Sequence, residues 1–237
     1  MASIKPSPAG GRHGVWTDGS PNHVRMLGLT LKELIGFAYD VEGYRVFAQG
    51  PVPTGRYDVI ARIPEDVAHL SDAARWARIH VMTQALLADR FKLTLHRATT
   101  EMPVYRLVVA KTGSKLRELG PDPGDVIVFV HRSPGHLSAH EMPMRQFIDI
   151  LGGELKRPVL DATGVKGVFD IALDWAPQFP TQNPQRTAEA APNATDAPDN
   201  RPSIFTAVEE QLGLRLEAGK SPIETLVVDR AESASEN

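Results

Sequence analysis

From Leu29 the chain reads LTLKELIGFAYDV, in which Leu31, Leu34, Ile35, Ala38 and Tyr39 recur at helical spacing and mark one buried face. Thr30, three residues before Glu33, supplies a capping box at its start. From Met142 the pattern returns as MPMRQFIDILGG, with Met144, Phe147, Ile148 and Leu151 on the apolar stripe. Pro143 suits the entry to that helix, and Gly152-Gly153 predict its end. An alternating strand follows each helix, GRYDVIA at 55–61 and GVFDIAL at 167–173. Leu29 precedes Tyr57 by 28 residues and Met142 precedes Phe169 by 27, so a unit repeats and not merely a strand.

A second pair of segments extends the parallel. MTQALLADRFKLTLHRATTEMPVYRLVVAK from Met82 and IFTAVEEQLGLRLEAGKSPIETLVVDRAE from Ile204 both read as helix, strand, loop, proline, strand. Pro103 leads to Leu107-Val108-Val109 and Pro222 to Leu226-Val227-Val228 at the same offsets, each proline placed where a strand begins and a donor is not yet needed. The chain therefore divides into two pseudo-repeated halves, 1–118 and 119–237, each with two helix-strand-strand units. Such units expose one apolar side apiece, which predicts an α+β arrangement of helices packed on antiparallel or mixed sheets, with superimposable halves around a joint interior. Parallel winding would require continuous apolar strands, whereas these alternate. The segment from about 177 to 202, PQFPTQNPQRTAEAAPNATDAPDNRP, is rich in Pro, Ala and Asn and predicts a mobile insertion in the second half.

Composition narrows the partners more than the chemistry. The chain has 237 residues and a net charge of -3, which gives no electrostatic case for nucleic acid. It contains no cysteine, excluding disulfides, thiolate metal sites and a cysteine nucleophile. No apolar run approaches the roughly 18 residues of a membrane span, so no membrane insertion is expected.

The densest chemistry is HRSPGHLSAHE, which places His131, His136, His140 and Glu141 within one short stretch. A turn at Pro134-Gly135 would set His131 and His136 across two strands, with His140 on the same face, so the four residues are the candidate ligands of a divalent ion, zinc or calcium. A bound metal with an open position would support hydrolysis of a small ester or lactone. The other reading makes them the polar side of a solvated hairpin. His13, His23 and Asp18 lie in a Gly- and Pro-rich stretch and read as loop residues, and His80 and His96 as surface histidines. Ser20 and Ser114 sit in turn contexts with no base placed by sequence. Asp58 and Asp170, the repeated acids, are either paired carboxylates or answers to a local backbone need. Gly164-Val165-Lys166-Gly167 precedes a strand and so lacks the amide cluster of a phosphate loop. Trp16, Trp76 and Trp175 read as core or rim packing.

Taken together, ASIKPS, LTLKELIGFAYDV, GRYDVIA, RPVLDATGVKGVFDIALDWAP and the two long segments quoted above resemble a soil-associated secreted bacterial family of unknown function. That family is sometimes joined to antirepressor-type membrane metallopeptidases. The individual unit resembles the short amino-terminal domain of secretins and TonB-dependent receptors. The first resemblance implies a periplasmic or extracellular protein whose export signal has been removed, and neither supplies a catalytic residue. The expectation is an exported, non-catalytic binding or protein-interaction module that engages a small ligand, a cell-wall component or a protein segment. The alternative is a metal-dependent hydrolase of small esters or lactones.

Overall fold

The computed structural model describes residues 2–8, 10–16, 22–122, 124, 128, 130–177 and 200–234. Asp18, Ser20 and positions 178–199 of the expected insertion lie outside the described residues. Among the described residues the chain is α+β, with five α-helices and three four-stranded sheets. It forms two compact units, Met1–Glu101 with Pro222–Asn237, and Met102–Ser221. Compactness thus divides the chain elsewhere than at 118/119, because the two long strands at Thr94–Val109 and Leu214–Arg230 each pass from one unit to the other.

The first unit contains β1 (Ala2–Pro6), β2 (Gly14–Trp16), β3 (His23–Thr30), α1 (Leu31–Tyr39), β4 (Val46–Ala48), β5 (Arg56–Arg62), α2 (Glu65–Ala68), α3 (Asp72–Arg90) and the start of β6 (Thr94–Val109). Its sheet has the order β1-β5-β3-β2 and is antiparallel throughout. The capping box at α1 forms as the sequence requires: the Thr30 hydroxyl accepts from the Glu33 amide at 3.3 Å, and Glu33 accepts from the Thr30 amide at 2.8 Å. Helix α1 lays Leu31, Leu34, Ile35 and Ala38 on the sheet, and Phe37 meets Trp76 of α3 edge to face.

The second unit contains β7 (Glu118–Gly120), β8 (Val130–Ser133), β9 (His136–Pro143), α4 (Met144–Leu155), β10 (Val159–Asp161), β11 (Val168–Asp174), α5 (Ile204–Leu212) and the first half of β12 (Leu214–Arg230). Its sheet has the order β7-β11-β9-β8, again antiparallel. The buried side chains fall into two clusters instead of the joint interior that duplication suggests. One runs from Ile4 to Leu93 with Leu226 and Val228, the other from Leu107 to Leu214, so the antiparallel sheet of each unit is covered by helices of that unit.

The repeated aspartates explain a shared local geometry. In the first unit the register of β3 against β5 slips between Met26 and Leu29, and Gly28 in that bulge has φ +67°. Its amide donates to the Asp58 carboxylate at 2.8 Å. In the second unit β9 slips against β11 at the matching place, between Ala139 and Met142. There Glu141 has φ +53°, and its amide points to Asp170 at 3.4 Å. A bulge leaves one residue outside the ladder, and an acid on the facing strand satisfies the amide so stranded. The reading of the two acids as local backbone partners is the one this geometry supports.

Two sequence expectations fail instructively. Helix α4 runs through Gly152 and Gly153 and ends at Lys156, which takes the left-handed conformation and donates to the Gly152 carbonyl. Its apolar face is buried with Phe147, Ile148 and Leu151, and tertiary packing outweighs the glycine propensity penalty of about 1 kcal/mol. Nor do Pro103 and Pro222 start new strands after loops. Each sits inside one long strand, β6 of 16 residues and β12 of 17. In the first unit these strands run antiparallel, since His96 meets Asp229 at 2.9 Å and Thr100 meets Thr225 at 3.0 Å. A proline fits within such a ribbon where no ladder partner needs its missing donor.

Asp58→Ala strands the buried Gly28 amide and is expected to lower unfolding free energy in urea by about 1–3 kcal/mol. Asp170→Ala, at an exposed bulge with a longer contact, is expected to cost roughly half of that or less. Equal losses would show that the aspartates serve something other than the bulge amides.

Candidate functional site

The second unit's hairpin carries the densest polar chemistry. Pro134 and Gly135 make its two-residue turn, with Ser133 opposite His136 and His131 opposite Ser138. Gly135 has φ +73°, and a Cβ there would overlap the Trp175 carbonyl oxygen and crowd the Arg201 guanidinium. The turn is pinned from outside: the Gly135 carbonyl accepts from the Trp175 amide at 2.9 Å and from Arg201 Nη1 at 3.0 Å.

Side-chain alternation sorts this region into two faces. Leu137, Phe169, Ile171 and Leu173 point into the core. On the opposite side, β8 and β9 present His131, His136, Ser138 and His140, and β11 presents Asp170, Ala172 and Asp174. The rings of His131 and His136 lie 5.8 Å apart, edge to face. His136 Nδ1 meets Asp174 at 2.7 Å, and His140 Nδ1 meets Asp170. The structure therefore brings His131 and His136 together, as the hairpin predicts. His140 is set about 13 Å further along the strand by the rise of roughly 3.3 Å per residue. Glu141 approaches His140 at 3.9 Å, but the bulge turns its backbone away from the regular strand. Among the described residues no group of three or more His, Cys, Asp or Glu side chains is arranged to hold a metal ion.

The aspartate partners were not picked out from the sequence, yet a signal was there. His136 and His140 are four apart, Asp170 and Asp174 are four apart, and antiparallel pairing of the two strands joins them as 136 with 174 and 140 with 170.

On the helix side, at the hairpin tip, lies a cleft of about 360 Å³. Trp175 and Ile204, both almost fully buried, lie at its base. Arg132 and Glu154 stand on its wall and pair with each other at 2.7 Å. Ser133, Pro134 and Gly135 close one side. Of these lining groups, Arg132 and Glu154 are the ones that carry charge.

The remaining candidates have local roles. Ser114 accepts the Leu116 amide within a turn, and Gly164 to Gly167 link β10 to β11 without a helix behind them. His80 stacks edge to face on Phe37, and His23 opens β3 opposite Arg62. His13 reaches the α1 capping box and bonds Glu33 at 3.0 Å, with Arg56 3.6 Å from the same carboxylate. Burial works to raise the Glu33 pKa, but hydrogen bonds from the Thr30 amide and hydroxyl and from His13, with the charge of His13, more than offset it. The carboxyl is held below its ordinary value.

Fold and cleft define an α+β protein of two sheet-and-helix units, with a ligand-sized recess in the second. The chain belongs to the family described as "Protein of unknown function (DUF3738)", which it matches over residues 32–231. No curated protein and no solved structure matches it. Among the described residues no helix is long and apolar enough to cross a membrane.

Two outcomes follow from the geometry. Because the Glu33 pKa is depressed in the folded state, its contribution is in place above the unfolded value and is lost as pH falls through the folded one. The stability advantage of the wild type over Glu33→Gln, measured by urea melts across the acid range, should therefore shrink as pH drops and stay flat above the ordinary glutamate range. Gly135→Ala adds a Cβ where the Trp175 carbonyl already sits and where φ is positive. It should destabilise the protein by about 1–3 kcal/mol, read by the same melts.

Proposed function

We propose that the chain is an exported, non-catalytic binding module whose second-unit cleft receives a small ligand, the end of a protein segment or a fragment of cell wall bearing a carboxylate. The observation that carries this reading is the make-up of the cleft. Apolar surface from Trp175 and Ile204 lies at its base, and the Arg132–Glu154 ion pair stands above it. A recess of this kind buries apolar surface while a few placed polar groups set orientation. A ligand carboxylate exchanges with Glu154 for the Arg132 guanidinium, whose planar fork suits that group. The arginine and glutamate neutralise each other and no histidine lines the recess, so its chemistry is that of recognition. Export to the periplasm or beyond is supported by the resemblance to the secreted soil-associated family.

The test is a thermal-shift and tryptophan-fluorescence screen of amino acids, short peptides with free carboxyl termini and muropeptide fragments, alongside a panel of small esters. Saturable binding by a carboxylate-bearing compound is expected, weakened by at least about tenfold in Arg132→Ala, the loss of one hydrogen bond to a charged group. The fluorescence change on binding should be lost in Trp175→Phe, because Trp175 is the tryptophan that lines the cleft. Turnover of an ester that is abolished by Arg132→Ala would replace this reading with a catalytic one, and binding unaffected by Arg132→Ala would move the site elsewhere.

A further inference from the structure

The outer face of the second unit's sheet is remote in chemistry from the cleft, and the binding reading makes no use of it. Its positions on β8, β9 and β11 hold three histidines, two serines, an alanine and two aspartates, with no lysine or arginine. Such a surface favours a cation. We propose that His131 and His136 form a two-imidazole site for a borderline divalent transition ion, zinc being the type case, with Asp174 as the positioning residue.

His136 Nδ1 is hydrogen-bonded to the Asp174 carboxylate at 2.7 Å. An ionised carboxylate only accepts, so in the neutral imidazole that a metal ion requires the hydrogen resides on Nδ1 and the lone pair is left on Nε2. This is the arrangement by which an acid orients a metal-binding histidine and raises its basicity. His131 stands across the hairpin at a ring separation of 5.8 Å. With a metal–nitrogen bond of about 2.0–2.1 Å, each ring centre lies about 3.2 Å from the ion, and two tetrahedral imidazole ligands are then about 5.2 Å apart. A side-chain adjustment of about half an ångström closes the pair on one ion, with water at the open positions. Calcium does not suit two nitrogen donors, because it takes oxygen ligands. His140, some 13 Å along the strand and tied to Asp170, stays outside the site. The four-ligand cluster that the sequence suggests thus contracts to two ligands and one carboxylate behind them. Nothing in this requires a ligand in the cleft, which opens on the other side of the sheet, where Arg132 alternates with His131.

The test uses the untagged full chain, zinc chloride alone as the probe, isothermal titration calorimetry for affinity and histidine side-chain nitrogen NMR for the atoms involved. One zinc per chain is expected, moving the ring-nitrogen signals of His131 and His136 and leaving those of His140 in place. His131→Ala and His136→Ala should each abolish saturable binding, and His140→Ala should leave it unchanged. All three lie on a solvent-facing surface, and an unchanged thermal melt certifies that each variant folds. Asp174→Asn should weaken binding about tenfold and lose the fixed Nε2 lone-pair signature of His136 in the metal-free spectrum, a change that a merely structural role would not produce. No saturable zinc binding, or binding that survives His131→Ala with His136→Ala combined, overturns the site. Unaltered affinity in Asp174→Asn overturns the role given to the aspartate.

Discussion

Each of the two wholly antiparallel sheets depends on one stranded amide and the acid that receives it. In β3 and again in β9 the ladder slips by one residue shortly before the strand becomes a helix, and the bulged residue adopts a left-handed backbone. Without a partner that amide would be a buried, unsatisfied donor in the first unit, where Gly28 is enclosed. Asp58 and Asp170 supply the acceptor from the neighbouring strand. Past the slip, Leu29 faces Tyr57 and Met142 faces Phe169, so the last residues before each helix return to the buried side. Helices α1 and α4 then begin two residues later over the inner face. Were the ladder regular, side-chain parity would turn those residues outward and the helix would start on the wrong side.

The same position is completed differently in the two units. At α1, Thr30 and Glu33 satisfy each other's backbone and draw in His13 and Arg56. At α4 the N-cap is Pro143, whose hydrocarbon ring offers no acceptor to the helix amides, and the residue matching Glu33 is Gln146. Its amide instead bonds both the nitrogen and the oxygen of Val128, at 3.1 and 2.9 Å, acting on that residue as a neighbouring strand would. Gln211 does the same for Asp174, accepting from its amide at 3.0 Å and donating to its carbonyl at 2.8 Å. A primary amide presents a donor and an acceptor side by side, which is why glutamine serves where a strand ends without a partner.

Much of this was legible in the chain because it rests on period and capping. The α1 stripe, the Thr30–Glu33 box, GRYDVIA and GVFDIAL, and the Pro134-Gly135 turn all fold as their patterns dictate. The bulges were hidden because Gly28 and Glu141 share no residue type, and a glutamate with positive φ announces nothing in one sequence. The continuity of β6 and β12 was hidden because proline normally punctuates, whereas here Pro103 and Pro222 each sit inside an unbroken strand. Gly152 and Gly153 mislead for the reverse reason: local propensity predicts a stop, but the apolar face of α4 extends the helix to Leu155. The cleft could not be read at all, since Arg132, Glu154, Trp175 and Ile204 converge from four separate stretches.

The hairpin shows how one strand can serve two chemistries without compromise. Successive residues of β8 point to opposite faces, so His131 joins the imidazole and carboxylate row while Arg132 reaches Glu154 at the end of α4. The glycine at the turn holds both sides in register, because its carbonyl is fixed by the Trp175 amide beneath and by Arg201 beside it. Insertion or deletion of one residue in β8 would exchange the two faces, placing a histidine against Glu154 and an arginine among the imidazoles. The hairpin is consequently constrained in length as well as composition, and that constraint comes from strand parity rather than from any single contact.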